Sequence, residues 1–256
     1  MKNIAWLSLL FLGISMSAAG QDFNKYRIGF KIEPNMSWFT PKEKYLEATD
    51  NKIRFSYGLI TDIHFTENYA IGTGLNIITN GGEVSYKKQI FEGNTEYVIA
   101  TERDMSLKYV EIPLTLKMRT NEIGYITYWG QFGVGLGIKV DARMDESYSY
   151  ELELADQGWE EITSKQPVSD ENINISSSIK PMRASLIIGA GIEYSISGTT
   201  AIVAGINFNN GFTNVLKGEG LKTDNVDKVI FEEGQPQSYD LNSISNSFGL
   251  TIGILF

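Results

Sequence analysis

The stretch Phe248-Gly-Leu-Thr-Ile-Gly-Ile-Leu-Phe256 puts Phe248, Leu250, Ile252, Ile254 and Phe256 at every second position, with Gly249, Thr251 and Gly253 between them. A repeat of two is the period of a β-strand, and here one face is large and apolar while the other is mostly small. Such a strand suits lipid on one side and a crowded barrel interior on the other, and a final aromatic is how transmembrane β-barrels finish.

The same alternation recurs upstream. Residues 26–38 set Tyr26, Ile28, Phe30, Ile32, Met36 and Trp38 against Arg27, Lys31, Glu33, Asn35 and Ser37. Residues 53–65 set Ile53, Phe55, Tyr57, Leu59, Ile63 and Phe65 against Arg54, Ser56, Gly58, Asp62 and His64, and after the turn at 66–68 comes a third strand over 69–77. A fourth strand spans about 105–118. Its apolar parity changes between Tyr109 and Val110, which predicts a β-bulge, and Pro113, with no amide to give a ladder, predicts a local irregularity. Strands follow at 126–140, 182–195 and 200–212, and the quoted segment is the eighth.

Connections alternate between short (66–68, 119–123, 197–199) and long (39–52, 81–104, 141–181, 213–241). Outer-membrane barrels keep short turns in the periplasm and long loops outside, so both termini are expected to be periplasmic. Tyr26, Phe65, Tyr69, Tyr194 and Phe256 fall at the short-turn ends on the apolar parity, where an interfacial girdle belongs. The expected fold is therefore all-β: an eight-stranded antiparallel up-and-down transmembrane β-barrel with long extracellular loops. A secreted barrel of the lipocalin type would also alternate, but it would turn its apolar face toward a ligand cavity and its charges toward water.

Lys2, the apolar run from Ile4 to Met16 and the small residues Ala18 and Gly20 read as a signal peptide over 1–20, leaving 21–256 as a single barrel domain. The run is too short for a membrane-spanning helix. The chain has no cysteine, which excludes a lipoprotein lipobox and disulfides. Removing the signal, which carries only Lys2, takes the formal charge from 22 − 31 = −9 to 21 − 31 = −10, disfavouring nucleic acid as a partner.

The inward parity collects Arg27, Lys31, Glu33, Arg54, Asp62, His64, Glu111, Lys117, Lys139, Arg183 and Glu193. Eight strands make a barrel that its own side chains can fill, and charges enclosed there must pair, as a structural network or as a relay for protons or ions. His64 is the only histidine, so any histidine-based catalysis or metal site would need it; a hydrogen bond to Asp62 or a backbone carbonyl is the plainer expectation. The loop 141–181 carries Asp145, Glu146, Glu151, Glu153, Asp156, Glu160, Glu161, Asp170 and Glu171 with Tyr148, Tyr150 and Trp159. Asp224, Asp227, Glu232 and Glu233 repeat the theme in the loop 213–241. Neither has the spacing of a calcium loop; both read as solvated surface, or as contacts to lipopolysaccharide through divalent cations or to a protein partner. Gly133-Val-Gly-Leu-Gly137 and Gly189-Ala-Gly191 lie inside alternating strands with no helix after them, so they are small inward residues and not a dinucleotide loop.

The segments Tyr109-Val-Glu-Ile-Pro-Leu-Thr-Leu-Lys117, Gly133-Val-Gly-Leu-Gly-Ile-Lys139, Ile187-Ile-Gly-Ala-Gly-Ile-Glu-Tyr194 and Gly249-Leu-Thr-Ile-Gly-Ile-Leu-Phe256 resemble the PorT-like outer-membrane β-barrel family of Bacteroidota. The resemblance runs from about residue 26 to 256, with the Tyr-x-Glu-Ile-Pro-Leu segment its most specific part. It implies an eight-stranded outer-membrane barrel without catalytic, cofactor or metal residues. Outer-membrane lipid and lipopolysaccharide surround it, and envelope or secretion-complex proteins of the type IX kind are its implied partners. A surface receptor or adhesin working through its acidic loops is the alternative, and a lipid-modifying or proteolytic barrel is a third class.

Overall fold

The computed structural model describes residues 25–155, 158–162, 164–224 and 228–256. The expected signal peptide at 1–20, and Asp156 and Asp227 of the acidic loops, lie outside the described residues.

Eight long strands make the architecture: β1 (Tyr26–Pro41), β2 (Lys52–His64), β3 (Tyr69–Glu92), β4 (Thr95–Arg119), β5 (Ile126–Ala155), β6 (Met182–Ser197), β7 (Thr200–Gly211) and β8 (Ser243–Leu255). Each pairs antiparallel with the next, and β8 returns to β1 from Gly29↔Leu255 to Pro41↔Ser243, so the eight strands close into a ring. The eight-stranded all-β ring is the one the alternation predicts.

Proline marks two gaps in its ladders. Pairing of β3 with β4 stops at Gly72↔Thr115 and resumes at Asn76↔Glu111, opposite Pro113. Pairing of β1 with β8 stops at Ile32↔Ile252 and resumes at Asn35↔Gly249, opposite Pro34. A missing amide donor is the physical reason in both places.

The outer face carries a continuous apolar belt. Phe30, Ile53, Leu75, Leu114, Leu136, Ile188, Ile206 and Leu250 are all exposed, Ile53 by 82%. A patch that encircles the molecule is stable only where lipid covers it. Tyr26, Phe65, Tyr69, Tyr125, Tyr194 and Phe256 ring its short-turn end, with Phe65 stacked on Tyr69 and Tyr125 tilted against Tyr194.

Three strands continue far past this belt. The expected loop 81–104 is instead an extension of β3 and β4 that stays paired to Glu92↔Thr95, with Gly93 (φ 61°) supplying the left-handed residue of a two-residue turn. The expected loop 141–181 likewise begins as β5, which remains paired with β4 as far as Tyr97↔Glu153. Short strands Glu47–Asp50 and Val168–Asn174 add to the two sides of this sheet, and Gly158–Glu161 folds back on β5.

The predicted bulge at Tyr109/Val110 is corrected by the geometry. Inward positions of β4 stay odd-numbered throughout: Met105, Leu107, Tyr109, Glu111, Thr115 and Lys117 are all buried. A register shift does lie beside Lys108/Tyr109, but the unpaired residue is Val140 on β5. What changes in β4 is the surroundings. Within the belt the apolar side chains face outward; beyond it they face inward, as in a water-soluble domain.

Those inward residues form a core. Val84, Tyr86, Met105, Leu107, Tyr109, Ala142 and Met144 of the extended sheet pack with Phe39, Leu46, Ile175, Ile179, Val215, Leu216, Tyr239 and Leu241 from the other long connections. The Tyr239 hydroxyl donates to the Tyr45 carbonyl at 2.8 Å. This assembly, called the cap below, closes the long-loop end of the barrel.

Candidate functional site: barrel lumen and cap

Every member of the inward charged set lies inside the ring or at its rim, because strand parity leaves those side chains nowhere else to point. At the short-turn end, Glu193 meets three cations: Arg27 at 2.5 Å, Lys117 at 2.7 Å and Arg119 at 3.0 Å. Lys117 also reaches Asp62 at 2.5 Å. Asp62 and Glu193 are 1% exposed, so their charges are tolerable only because these partners stand beside them.

His64 has a different partner from the one expected. Its Nε2 lies 3.0 Å from Nη1 of Arg119, and guanidinium can only donate, so the imidazole accepts there. Its buried Nδ1 has no hydrogen-bond partner. Arg119 continues the odd parity of Lys117, and that parity is the signal that would have found it.

Mid-barrel, Lys31 pairs with Glu33 at 2.9 Å. Glu33 also accepts from Thr251 and Asn207, and Asn207 accepts from Gln131. Higher up, Arg183 donates to Glu111 at 3.1 Å, to Asn209 at 2.8 Å and to the Ser245 carbonyl at 3.0 Å. Lys139, nearest the cap, donates to the carbonyls of Ser176 and Ile179. Arg54 pairs with Asp104 at 2.5 Å, beside a Lys52–Glu83 pair at 2.8 Å.

Glycines make room for these groups. The Trp129 indole lies over Gly191, where an added Cβ would sit 2.7 Å from its Cζ2. At Gly135 a Cβ would come within 2.5 Å of the Glu111 carboxyl. The inward small residues therefore relieve crowding, as their parity implies. Among the described residues, a mid-barrel cavity of about 70 Å³ is left, lined by Lys31, Glu33, Glu111 and Asn207 together with Trp129 and Val203. That is room for a few waters and not for a solute channel.

The cap has its own polar centre, which periodicity did not single out. Glu146, read from sequence as a loop carboxylate, is buried on the inner face of the extended sheet. It accepts from Lys88 at 2.7 Å and from Thr101 and Arg103 at 2.8 Å. Burial pushes its carboxyl up, but the Lys88 hydrogen bond, the Arg103 charge and the bonds from Arg103 and Thr101 outweigh that and hold it below the usual carboxylate range. The Arg103 guanidinium lies 5.2 Å from the centre of the Tyr86 ring, and burial pushes the Tyr86 hydroxyl up to about 12. At the tip, Glu92 accepts from Tyr150 and pairs with Lys165 at 2.9 Å. Trp159 packs against Phe231 of the neighbouring connection.

Among solved structures, the chain is similar to Neisserial surface protein A at 9% identity and a TM-score of 0.42, covering 91% of this chain and 96% of that one. It is similar to the outer membrane protein OprG from Pseudomonas aeruginosa at 12% identity and a TM-score of 0.41, covering 90% and 94%. It is also similar to Ail, the attachment invasion locus protein of Yersinia pestis, at 12% identity and a TM-score of 0.31, covering 91% and 100%. A search among curated proteins returns no match. The family model described as "Outer membrane protein beta-barrel domain" matches residues 16–217, and this chain, a closed eight-stranded ring with an apolar outer belt, belongs to that outer-membrane family.

Proposed function

We propose that this protein is a non-enzymatic outer-membrane barrel whose working surface is its cap, acting as an accessory contact element of an envelope or secretion assembly. The observation that carries this reading is the inversion of polarity in β3, β4 and β5. Each continues past the belt with its apolar side chains turned inward, so the chain builds a folded sheet beyond the membrane where short loops would suffice to close a barrel. The lumen, packed with ion pairs and covered by that sheet, gives no support to a role in solute diffusion.

In this reading residues 1–20 are a cleaved signal, 21–256 are the single barrel domain, both termini face the periplasm, and the cap faces outward among lipid and lipopolysaccharide. The resemblance of the 109–117 segment to the PorT-like family of Bacteroidota supports a partner in a type IX-like secretion assembly. The test is mild cross-linking of the epitope-tagged chain in its native membrane, detergent purification and mass spectrometry, with an unrelated barrel as control. Reproducible enrichment of envelope or secretion components is the expected result; recovery of the barrel alone would contradict it.

A receptor is the second reading, favoured by the acidic and aromatic tip of the cap. Replacing residues 86–101 with a two-residue turn should abolish ligand binding if it is correct and leave assembly contacts made elsewhere intact.

A further inference from the structure

Four groups converge at the tip of the cap around one ammonium. The Nζ of Lys165 lies 3.7 Å from the centre of the Tyr97 ring and 4.2 Å from that of Tyr150. The two rings stand nearly at right angles, 79° apart with centroids 5.3 Å apart, so they form two walls of a corner. Tyr148 braces the second wall edge-on at 69°. The Glu92 carboxylate closes a third side, 2.9 Å from the ammonium, and is held in turn by the Tyr150 hydroxyl.

The two halves of this contact differ in construction. Glu92, Tyr97, Tyr148 and Tyr150 all stand on β3, β4 and β5, whose mutual pairing extends through these positions. Lys165 belongs to the connection between the short strands Gly158–Glu161 and Val168–Asn174. The receptor side is thus fixed by a regular sheet, whereas the cation is delivered by a tether. Orthogonal aromatic faces with a carboxylate are a chemistry that recognises organic cations in general, through ring quadrupoles and charge. The side chains of Lys165 and Glu92 are 33% and 42% exposed, so a cation arriving from solvent can reach the place Lys165 holds.

We propose that this corner is a binding site for protonated alkylamines, occupied in the resting chain by Lys165 as an internal competitor. A primary ammonium is the preferred ligand, because Glu92 accepts a hydrogen bond that a quaternary ammonium cannot give. A tethered competitor acts at an effective concentration of the order of millimolar, so an external amine must displace it and binds the resting chain weakly. The inference rests on the cap being the contact surface, but its test uses purified protein and is independent of which face of the membrane the cap occupies.

The experiment is calorimetric titration of the refolded chain in detergent with n-butylammonium, with tetramethylammonium and sodium as controls at equal ionic strength. Lys165→Ala should bind n-butylammonium at least tenfold more tightly than the wild type, and tetramethylammonium less well. Lys165→Met, which keeps the apolar stem, guards against collapse of the connection and should show the same gain in direction. Adding Tyr97→Leu should cancel the gain. Equal or weaker binding in a folded Lys165 variant would overturn the proposal. So would loss of the folded cap in both variants, since it would make Lys165 a structural latch.

Discussion

Among the described residues Glu193 gathers more cations than any other lumen carboxylate, and its removal has a calculable direction. Glu193→Gln removes the carboxylate that Arg27, Lys117 and Arg119 share and leaves Lys117 its pair with Asp62. Uncompensated buried charge of this kind costs roughly 3–5 kcal/mol. The folded barrel, followed by its shifted gel mobility without heating, should therefore be lost at clearly lower urea than the wild type. Gly191→Val tests the packing side: its side chain would enter the space of Trp129, and the variant should fail to give the folded band. At this scale the sequence was informative wherever strand parity applied. Alternation placed all eleven inward charges and the small residues beneath the large ones. It did not supply pairing partners, which depend on register around the ring. His64 thus meets Arg119, a residue that reads as part of a turn, in place of Asp62.

The three extended strands behave as a unit, because β3, β4 and β5 share one core above the belt. Leu107 is fully buried in it, and Leu107→Asp should melt the cap while sparing the ring below. Limited proteolysis should then cut between residues 80 and 108 and leave a barrel that still migrates as folded. Wild-type resistance in both regions is the reference; equal loss of both would show that cap and ring fold as one. Glu146 gives the cap a pH dependence. Its folded carboxyl titrates below the unfolded value, so its contribution is complete above about pH 4.5 and disappears as pH falls through the folded value. Cap protection against an acid protease should drop in that range, and Glu146→Gln should be less stable at neutral pH and lack the drop.

These elements were the part least legible in advance. The parity change at Tyr109/Val110 was visible in the residues, but a bulge and a change of solvent leave the same mark on one strand. Only the neighbouring strands tell them apart. Ile78 and Val84 on β3 and Ala142 and Met144 on β5 turn apolar side chains inward in step with Leu107. The long connections were recognised by length and acidity, yet the paired sheet within 81–104 was not, because its charged outer positions resemble a solvated loop.

On the scale of the molecule, two solvents meet along three strands. Lipid selects apolar residues outside and polar ones within, and water above the belt reverses the choice; β4 obeys both without changing its pleat, whereas β5 turns its even-numbered side chains from outside to inside at the unpaired Val140. The absence of cysteine in the sequence makes this arrangement directly readable, since any introduced thiol is unique. Single variants Ser147→Cys in the cap, Leu136→Cys on the belt and Glu67→Cys in a short turn should be exposed to a membrane-impermeant maleimide, first on intact cells, then after permeabilising the outer membrane, then after denaturation. Labelling is expected at 147 in intact cells, at 67 only after permeabilisation, and at 136 only after denaturation. Labelling at 136 in the folded protein, or at 67 before 147, would contradict a membrane barrel that carries its cap on the cell surface.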